Sequence, residues 1–225
     1  MPRMEPTKRQ GRAAARLRAA APYLAMIGGG LLLRGAFAPF EGQASAAFFA
    51  PVPLLLASRL CAPRRAARLG FAWGFAFFAS ALTWFVPLVR NGGPWPIVLL
   101  GEVGLSAWCA LFPALAAAAL SRLRAPWRGL REEARAAHAR LVAAEPDSDE
   151  EDEAFDELAA LRRRSLAWEM AGPLAAGVVW AGAETLRATV GGGFAWYSLG
   201  ASQRAFPALA QLAAASSSEK MHGMR

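Results

Sequence analysis

The feature that most constrains the fold of this chain is an uncharged segment, Leu69–Val89, with the sequence LGFAWGFAFFASALTWFVPLV. As an α-helix rising 1.5 Å per residue, it would be roughly 31 Å long, about the thickness of the hydrocarbon core of a bilayer. Arginines precede the segment, and Arg90 with the turn-forming sequence Asn91-Gly-Gly-Pro94 follows it. Both ends therefore carry residues that belong outside lipid, and the segment predicts a transmembrane helix.

Small residues recur along this predicted helix at near-helical spacing. Gly70 and Gly74 are four residues apart and would lie on the same face. Because glycine has no side chain, this pair predicts that a neighbouring helix approaches closely at that face.

Composition extends this prediction to most of the chain. Of 225 residues, 55% are hydrophobic, although 25 are Lys or Arg. The apolar residues form long runs separated by basic connectors, which indicates an all-α fold, a polytopic transmembrane helical bundle. The net charge of +8 does not indicate a nucleic-acid partner, because the basic residues cluster beside apolar runs, a pattern typical of cytoplasmic anchoring and anionic lipid contact.

The apolar runs predict about five full crossings and a partial sixth. In chain order, the predicted segments are a basic cytoplasmic N-terminus at 1–19, transmembrane helices 1–4 within 20–120, a charged cytoplasmic loop at 121–166, transmembrane helix 5 with an outward-facing loop and a partial helix 6 within 167–215, and a polar tail at 216–225. Prolines at 51 and 53 predict that the second helix is short or kinked. Arginine-rich connectors alternate with poorly charged ones, which places the N-terminus in the cytoplasm.

A signal peptide is the alternative interpretation of the N-terminal apolar run, since Ala36-Phe-Ala38 imitates a cleavage site. Pro39 follows this triplet directly and should hinder a peptidase. We therefore predict a first helix that is retained, at about residues 20–37.

Ionisable residues inside apolar runs are candidates for function. Glu102 lies in the fourth predicted helix, where a charged carboxylate would cost roughly 3 kcal/mol near the centre of a bilayer. It could face a partner or a cavity, be protonated, or lie near the outer surface. Cys61 and Cys109 lack the Lys, His or Cys neighbours that a thiol nucleophile or a metal site requires. The sequence thus predicts no catalytic residue, no metal and no cofactor. The acidic block at 145–157 is interpreted as solvated surface, and its Ala-rich flanks could form short surface helices.

Three groups of residues in order suggest a family. They are Phe37-Ala-Pro-Phe40 with Pro51-Val-Pro-Leu-Leu55, Gly70-Phe-Ala-Trp-Gly-Phe75 with Thr83-Trp84, and Glu184-Thr-Leu-Arg187 with Gly193-Phe-Ala-Trp196 and Leu199-Gly-Ala-Ser-Gln203. With these groups the chain resembles the N-terminal membrane domain of apolipoprotein N-acyltransferase. Enzymes of this family, in the bacterial inner membrane, transfer an acyl chain from a phospholipid to the N-terminal cysteine of a lipoprotein.

The chain also departs from the family pattern. Ala188, Ala195 and Ala201 stand where the family usually has Gly, Pro and Tyr, and the interval 121–166 is longer and more charged. The family's nitrilase-like catalytic domain, with its Glu-Lys-Cys triad, is missing from the sequence. We therefore expect a truncated membrane portion that is inactive alone.

The resemblance also implies site residues. Phe194, Trp196 and Gln203 would line or support a lateral entrance for phospholipid, and Glu184 and Arg187 would brace the loop that carries them. A plainer interpretation is that Glu184 and Arg187, three residues apart on one helix, form an ion pair and that Trp196 is an ordinary interfacial aromatic.

Three functional hypotheses remain open at this point. The first is the membrane portion of the acyltransferase, in a multi-pass inner-membrane location, with membrane phospholipid as partner and a lipoprotein as substrate of the full-length enzyme. The second is a non-catalytic scaffold or split subunit that docks a separately encoded soluble domain. A small transporter is the third; Glu102 and the broken second helix favour it slightly, but the sequence shows no internal repeat.

Overall fold

The structure, a computed structural model, describes residues 8–37, 44–146, 148–199, 201–202 and 206, with side chains from Leu17 onward. Within these ranges all regular structure is helical, which confirms the predicted all-α class. The helices are α1 (Lys8–Arg34), α2 (Ala46–Phe49), α3 (Val52–Leu60), α4 (Pro63–Ala81), α5 (Pro87–Arg90), α6 (Trp95–Leu123), α7 (Ala125–Ala143) and α8 (Asp149–Thr189), with 3₁₀ turns at Thr83–Phe85 and Val190–Gly192.

The centre of the bundle is the packing of α4 against α6, and α1 also packs against α4. A Cβ atom added at Gly70 would lie 2.8 Å from the carbonyl oxygen of Pro113 and 3.0 Å from the Cα of Ala114. At Gly74 it would lie 3.0 Å from the Cα of Ala110. The two glycines therefore allow the α4 and α6 backbones to touch, as their spacing predicts.

A second contact fixes the broken helix at the side of this core. Trp73 of α4 is 1% exposed and donates a hydrogen bond from Nε1 to the carbonyl oxygen of Ala50, at 2.9 Å. Ala50 and Pro51 separate α2 from α3. The predicted interruption of the second apolar segment is therefore present, and the indole of Trp73 binds one of the carbonyl groups at the break.

The apolar segment at 69–89 is not one uninterrupted helix. Helix α4 begins earlier than the segment, at Pro63, and ends at Ala81, before the 3₁₀ turn and α5. Pro87 has no N–H to continue a helix and its ring crowds the preceding turn, which accounts for the new start at that residue.

Two stretches of the described chain are long and apolar enough to cross a membrane, namely Pro63–Arg90 and Trp95–Ala143. This criterion concerns length and composition only. The larger number of crossings that the sequence predicts therefore stays a prediction.

The charged interval forms a helical hairpin, with helices longer than the short surface helices expected at its Ala-rich flanks. Helix α7 packs against the first half of α8 through Leu130, Ala137, Leu158 and Leu161. Helix α8 continues through the boundary expected at 166–167 and is about 60 Å long at 1.5 Å per residue. Its sequence contains no Gly or Pro before Gly172, and four acidic residues in its first turn favour a helix N-terminus.

Candidate functional site

Arg187 lies in the last turn of α8 and binds the loop that follows it. We call residues 190–199 the aromatic loop. The Arg187 side chain donates from Nη1 to the backbone carbonyl oxygens of Phe194 and Trp196, at 2.6 Å each, and the residue is only 3% exposed. Its own carbonyl oxygen accepts from the Phe194 N–H at 2.9 Å. Arg187 therefore holds the middle of the aromatic loop against the end of its helix.

Glu184 holds the C-terminal end of the aromatic loop. It lies one turn before Arg187, and its Oε1 accepts a hydrogen bond from the Leu199 N–H at 2.7 Å. No ion pair between Glu184 and Arg187 occurs in the ranges given above; each side chain binds loop backbone instead. Burial lowers the pKa of the Arg187 guanidinium and the nearby Glu184 carboxylate opposes that shift; arginine remains charged at neutral pH.

Tyr197 ties the aromatic loop to the bundle. Its hydroxyl donates to the carbonyl oxygen of Ala81 at 2.9 Å, where α4 ends. The ring packs edge-on against Phe37 and Phe77, with centroids 5.3 and 6.1 Å away. Tyr197 does not stand out in the sequence as a site residue, because its role depends on a contact with a distant helix end.

The turn itself depends on an unusual backbone conformation. Gly193 has φ +75°, and a Cβ atom there would collide with the carbonyl oxygen of Ala188. Tyr197 also has positive φ, at 59°, which is uncommon for a residue with a side chain. The hydrogen bonds of Arg187, Glu184 and Tyr197 together hold this strained turn in place.

Phe194 and Trp196 form an open apolar groove together with residues of the 3₁₀ turn at Thr83–Phe85 and of α6. The groove has an empty volume of about 770 Å³, open side included, and its other large lining residues are Trp84, Phe85 and Leu105. The Trp84 and Trp196 rings lie 5.5 Å apart, and the Phe194 ring lies 6.0 Å from Trp196. Gln203, the third residue expected at the entrance, lies outside the described residues.

The other candidates from the sequence do not line this groove. Cys109 is fully buried in the main hydrophobic core, and Cys61 is partly exposed after α3. Glu102 is partly buried in the second turn of α6. Across the described residues, no three His, Cys, Asp or Glu side chains are grouped so as to hold a metal ion. The candidate site is thus the apolar groove lined by Phe194 and Trp196. Hydrogen bonds of Arg187, Glu184 and Tyr197 hold the loop that forms its rim, and the groove is suited to binding an apolar chain.

Comparison with known proteins agrees with the three groups of residues in the sequence. The chain matches the family described as "Apolipoprotein N-acyltransferase N-terminal domain" over residues 29–145 and 154–219. An apolipoprotein N-acyltransferase of Geobacter metallireducens is 41% identical over 98 residues, which are 42% of this chain and 18% of that relative. The alignment therefore spans less than a fifth of the relative's length. The family match over most of the chain confirms the predicted resemblance.

Proposed function

The chain belongs to the family of apolipoprotein N-acyltransferase N-terminal domains, and from this premise we propose that it forms the membrane portion of a lipoprotein N-acyltransferase. In this proposal a membrane phospholipid is the acyl donor and a lipoprotein is the acceptor. The role of the described residues is to receive the phospholipid, and Phe194 and Trp196 are its contacts.

The observation that carries the proposal is the groove between the aromatic loop and the 3₁₀ turn at Thr83–Phe85. Its lining is mostly aromatic and apolar, and the side chain of Trp196 is 59% exposed at its rim. Tryptophan is favoured at the level of lipid headgroups, because its ring is apolar while its N–H can bind water or phosphate oxygens. A lipid acyl chain would bury apolar area against these rings, gaining about 25 cal/mol per Å².

The proposed topology has five crossings, the N-terminus in the cytoplasm and the groove at the opposite face of the inner membrane. Large apolar side chains are exposed on α1, α6 and α8, among them Leu24, Leu100 and Leu174. Exposed apolar surface of this kind is typical of membrane contact. The basic connectors support the orientation.

We further propose that this portion does not transfer acyl groups alone and acts with a nitrilase-like catalytic domain. Cys109 is buried in the core, away from solvent, and a nucleophilic thiol needs both a base and access to its substrate. A split subunit that docks a separately encoded domain is the alternative arrangement.

The groove is tested with a phosphatidylethanolamine that carries a photoreactive acyl chain. The purified full chain is illuminated in bilayer nanodiscs, and labelled peptides are identified by mass spectrometry. We expect labels on peptides that contain residues 84–85 and 194–196, and Trp196→Ala should reduce them several-fold. Trp95→Ala is the matched control, since Trp95 is also exposed, at 65%, but does not line the groove. Equal labelling in the two variants would contradict the proposal.

Dependence on a second domain is tested in cells depleted of their own acyltransferase. The chain is expressed alone or with a separately encoded nitrilase-like domain, and N-acylation of a reporter lipoprotein is measured by mass spectrometry. We expect no N-acylation with the chain alone. Activity of the chain alone would show that the proposed inactivity is wrong, and activity restored by the separate domain would favour the split subunit.

A further inference from the structure

A second cavity lies at the arginine-rich end of the bundle, where α3, α6, α7 and α8 meet. It has an empty volume of about 880 Å³, open side included. Arg59, Arg124, Trp127 and Glu169 form its polar part, and the remainder consists of two leucines of α6 and of Trp168, Gly172, Pro173 and two alanines of α8. It is separate from the groove of the aromatic loop, because Gly172 in this cavity and Ala188 in the groove are about 24 Å apart along α8 at 1.5 Å per residue.

Within the described ranges, the two arginines of this cavity make only long hydrogen bonds with other protein groups. Arg124 reaches the carbonyl oxygen of Leu55 and the hydroxyl of Ser58 only at 3.4 Å, and Arg59 reaches Glu169 at the same distance. These bonds are longer than the 2.7–3.2 Å that is usual for N–H···O contacts. The guanidinium groups therefore retain donor capacity that an anion of suitable shape could use.

The balance of charge in the cavity is positive. Glu169 is the acidic residue of the lining and pairs with Arg59, whereas the lining contains two arginines, Arg59 and Arg124. Arg59 and a further arginine, Arg131, lie over the ring of Trp127, at 4.4 and 4.8 Å from its centroid. Cations held together in this way repel one another, and a bound anion would relieve the repulsion.

A buried donor without an acceptor lies in the same wall. Trp127 is 5% exposed, and its Nε1–H has no hydrogen-bond partner within the part of the chain that the structure describes. This donor is enclosed by protein atoms and does not open into the cavity, so it is an unfavourable unpaired group of the wall.

We propose that this cavity binds the phosphate-bearing headgroup of an anionic phospholipid, as a lipid site separate from the acyl-donor groove. Arg59 and Arg124 bind the phosphate oxygens, and the ring of Trp127 forms part of the wall beside them. Leu120 and Leu123 of α6 with the small residues Ala171 and Ala175 of α8 give the acyl chains an apolar surface that continues from the headgroup. Basic pockets between helices at the cytoplasmic side of a membrane suit lipids of this charge.

The test measures binding of three probes to the purified full chain in a neutral detergent, by native mass spectrometry and by the shift in melting temperature. The probes are dihexanoyl phosphatidylglycerol, dihexanoyl phosphatidylcholine and inorganic phosphate. We expect saturable binding of phosphatidylglycerol, at least about tenfold tighter than of the other two, since binding uses both the negative charge and the acyl chains.

Variants then locate the site. The double variant Arg59→Gln with Arg124→Gln should weaken phosphatidylglycerol binding about tenfold or more. The matched control, Arg64→Gln with Arg65→Gln, removes two exposed arginines of α4 that do not line the cavity and should leave the affinity unchanged. Glu169→Gln removes the competing carboxylate and should tighten binding, a gain that a misfolded variant cannot imitate.

Each contrary outcome overturns the proposal. Equal affinity for phosphatidylglycerol in the two double variants would place lipid binding elsewhere. Inorganic phosphate bound as tightly as the lipid would show a phosphate site without lipid recognition. If the arginine double variant does not fold, an unchanged affinity of Glu169→Gln is sufficient to reject the site.

Discussion

The Nη1 atom of Arg187 lies 2.6 Å from the backbone carbonyl oxygen of Trp196. This bond couples the end of the longest helix to the tryptophan at the rim of the apolar groove. The same nitrogen also donates to the carbonyl oxygen of Phe194, so one buried cation fixes the backbone of both aromatic residues that line the groove from this side. The shape of the groove therefore depends on a side chain that does not line it.

Replacing Arg187 should loosen the aromatic loop. Hydrogen bonds from a charged donor contribute about 1.5–3 kcal/mol each, so Arg187→Gln should lower the free energy of loop opening by about 2 kcal/mol or more. Amide hydrogen exchange at Phe194 and Leu199 should accelerate about 30-fold, since 1.4 kcal/mol corresponds to a factor of ten. Arg90→Gln, at an exposed arginine after α4, is the control and should leave these amides unchanged. Unchanged protection in Arg187→Gln would contradict a bracing role.

Glu184 offers a test at the C-terminal end of the loop. Glu184→Ala removes the acceptor of the Leu199 N–H, and the loss should increase hydrogen exchange at that amide about tenfold or more. Glu184→Gln keeps a side-chain oxygen at the same position and should have a smaller effect, because a neutral acceptor is weaker than a charged one. The same exchange rate in both variants would argue against this hydrogen bond.

The close packing of α4 on α6 predicts different effects at two glycines. A Cβ atom at Gly70 would press on backbone atoms of Pro113 and Ala114, so Gly70→Ala should destabilise the bundle by about 1–3 kcal/mol. A Cβ atom at Gly104 of α6 would meet nothing within 4 Å, so Gly104→Ala should be neutral or stabilise the helix by up to about 1 kcal/mol. Thermal unfolding of the detergent-solubilised chain measures both. A Gly70→Ala melting temperature at or above that of Gly104→Ala would show that the helices do not touch there.

Tyr197 is tested by removing its hydroxyl alone. Tyr197→Phe keeps the ring contacts with Phe37 and Phe77 but leaves the Ala81 carbonyl oxygen without its donor, which should cost about 1 kcal/mol. Tyr23, the other tyrosine of the chain, is 39% exposed on α1, and Tyr23→Phe is the matched control. Equal melting temperatures for the two variants would exclude a contribution of this bond to stability.

Much of the fold follows from local patterns in the sequence. Apolar runs bounded by arginines indicate helices, prolines indicate the break after α2, and the Gly70 and Gly74 spacing indicates where α4 and α6 touch. The charged interval is different, because its composition suits both a solvated loop and a helix. Only the packing of Leu130 and Ala137 against Leu158 and Leu161 selects a helical hairpin, and these contacts join residues of two helices.

The sequence by itself determined the helical class, the family and the two polar residues, Glu184 and Arg187, that stand out before the aromatic loop. Only the tertiary structure decided what those residues bind. Three residues apart on one helix, they have the spacing of an ion pair, yet each reaches a backbone group of the loop. Unpaired N–H and C=O groups of a turn with positive φ are costly to bury, and their positions depend on how the loop packs against α4, which no local pattern encodes.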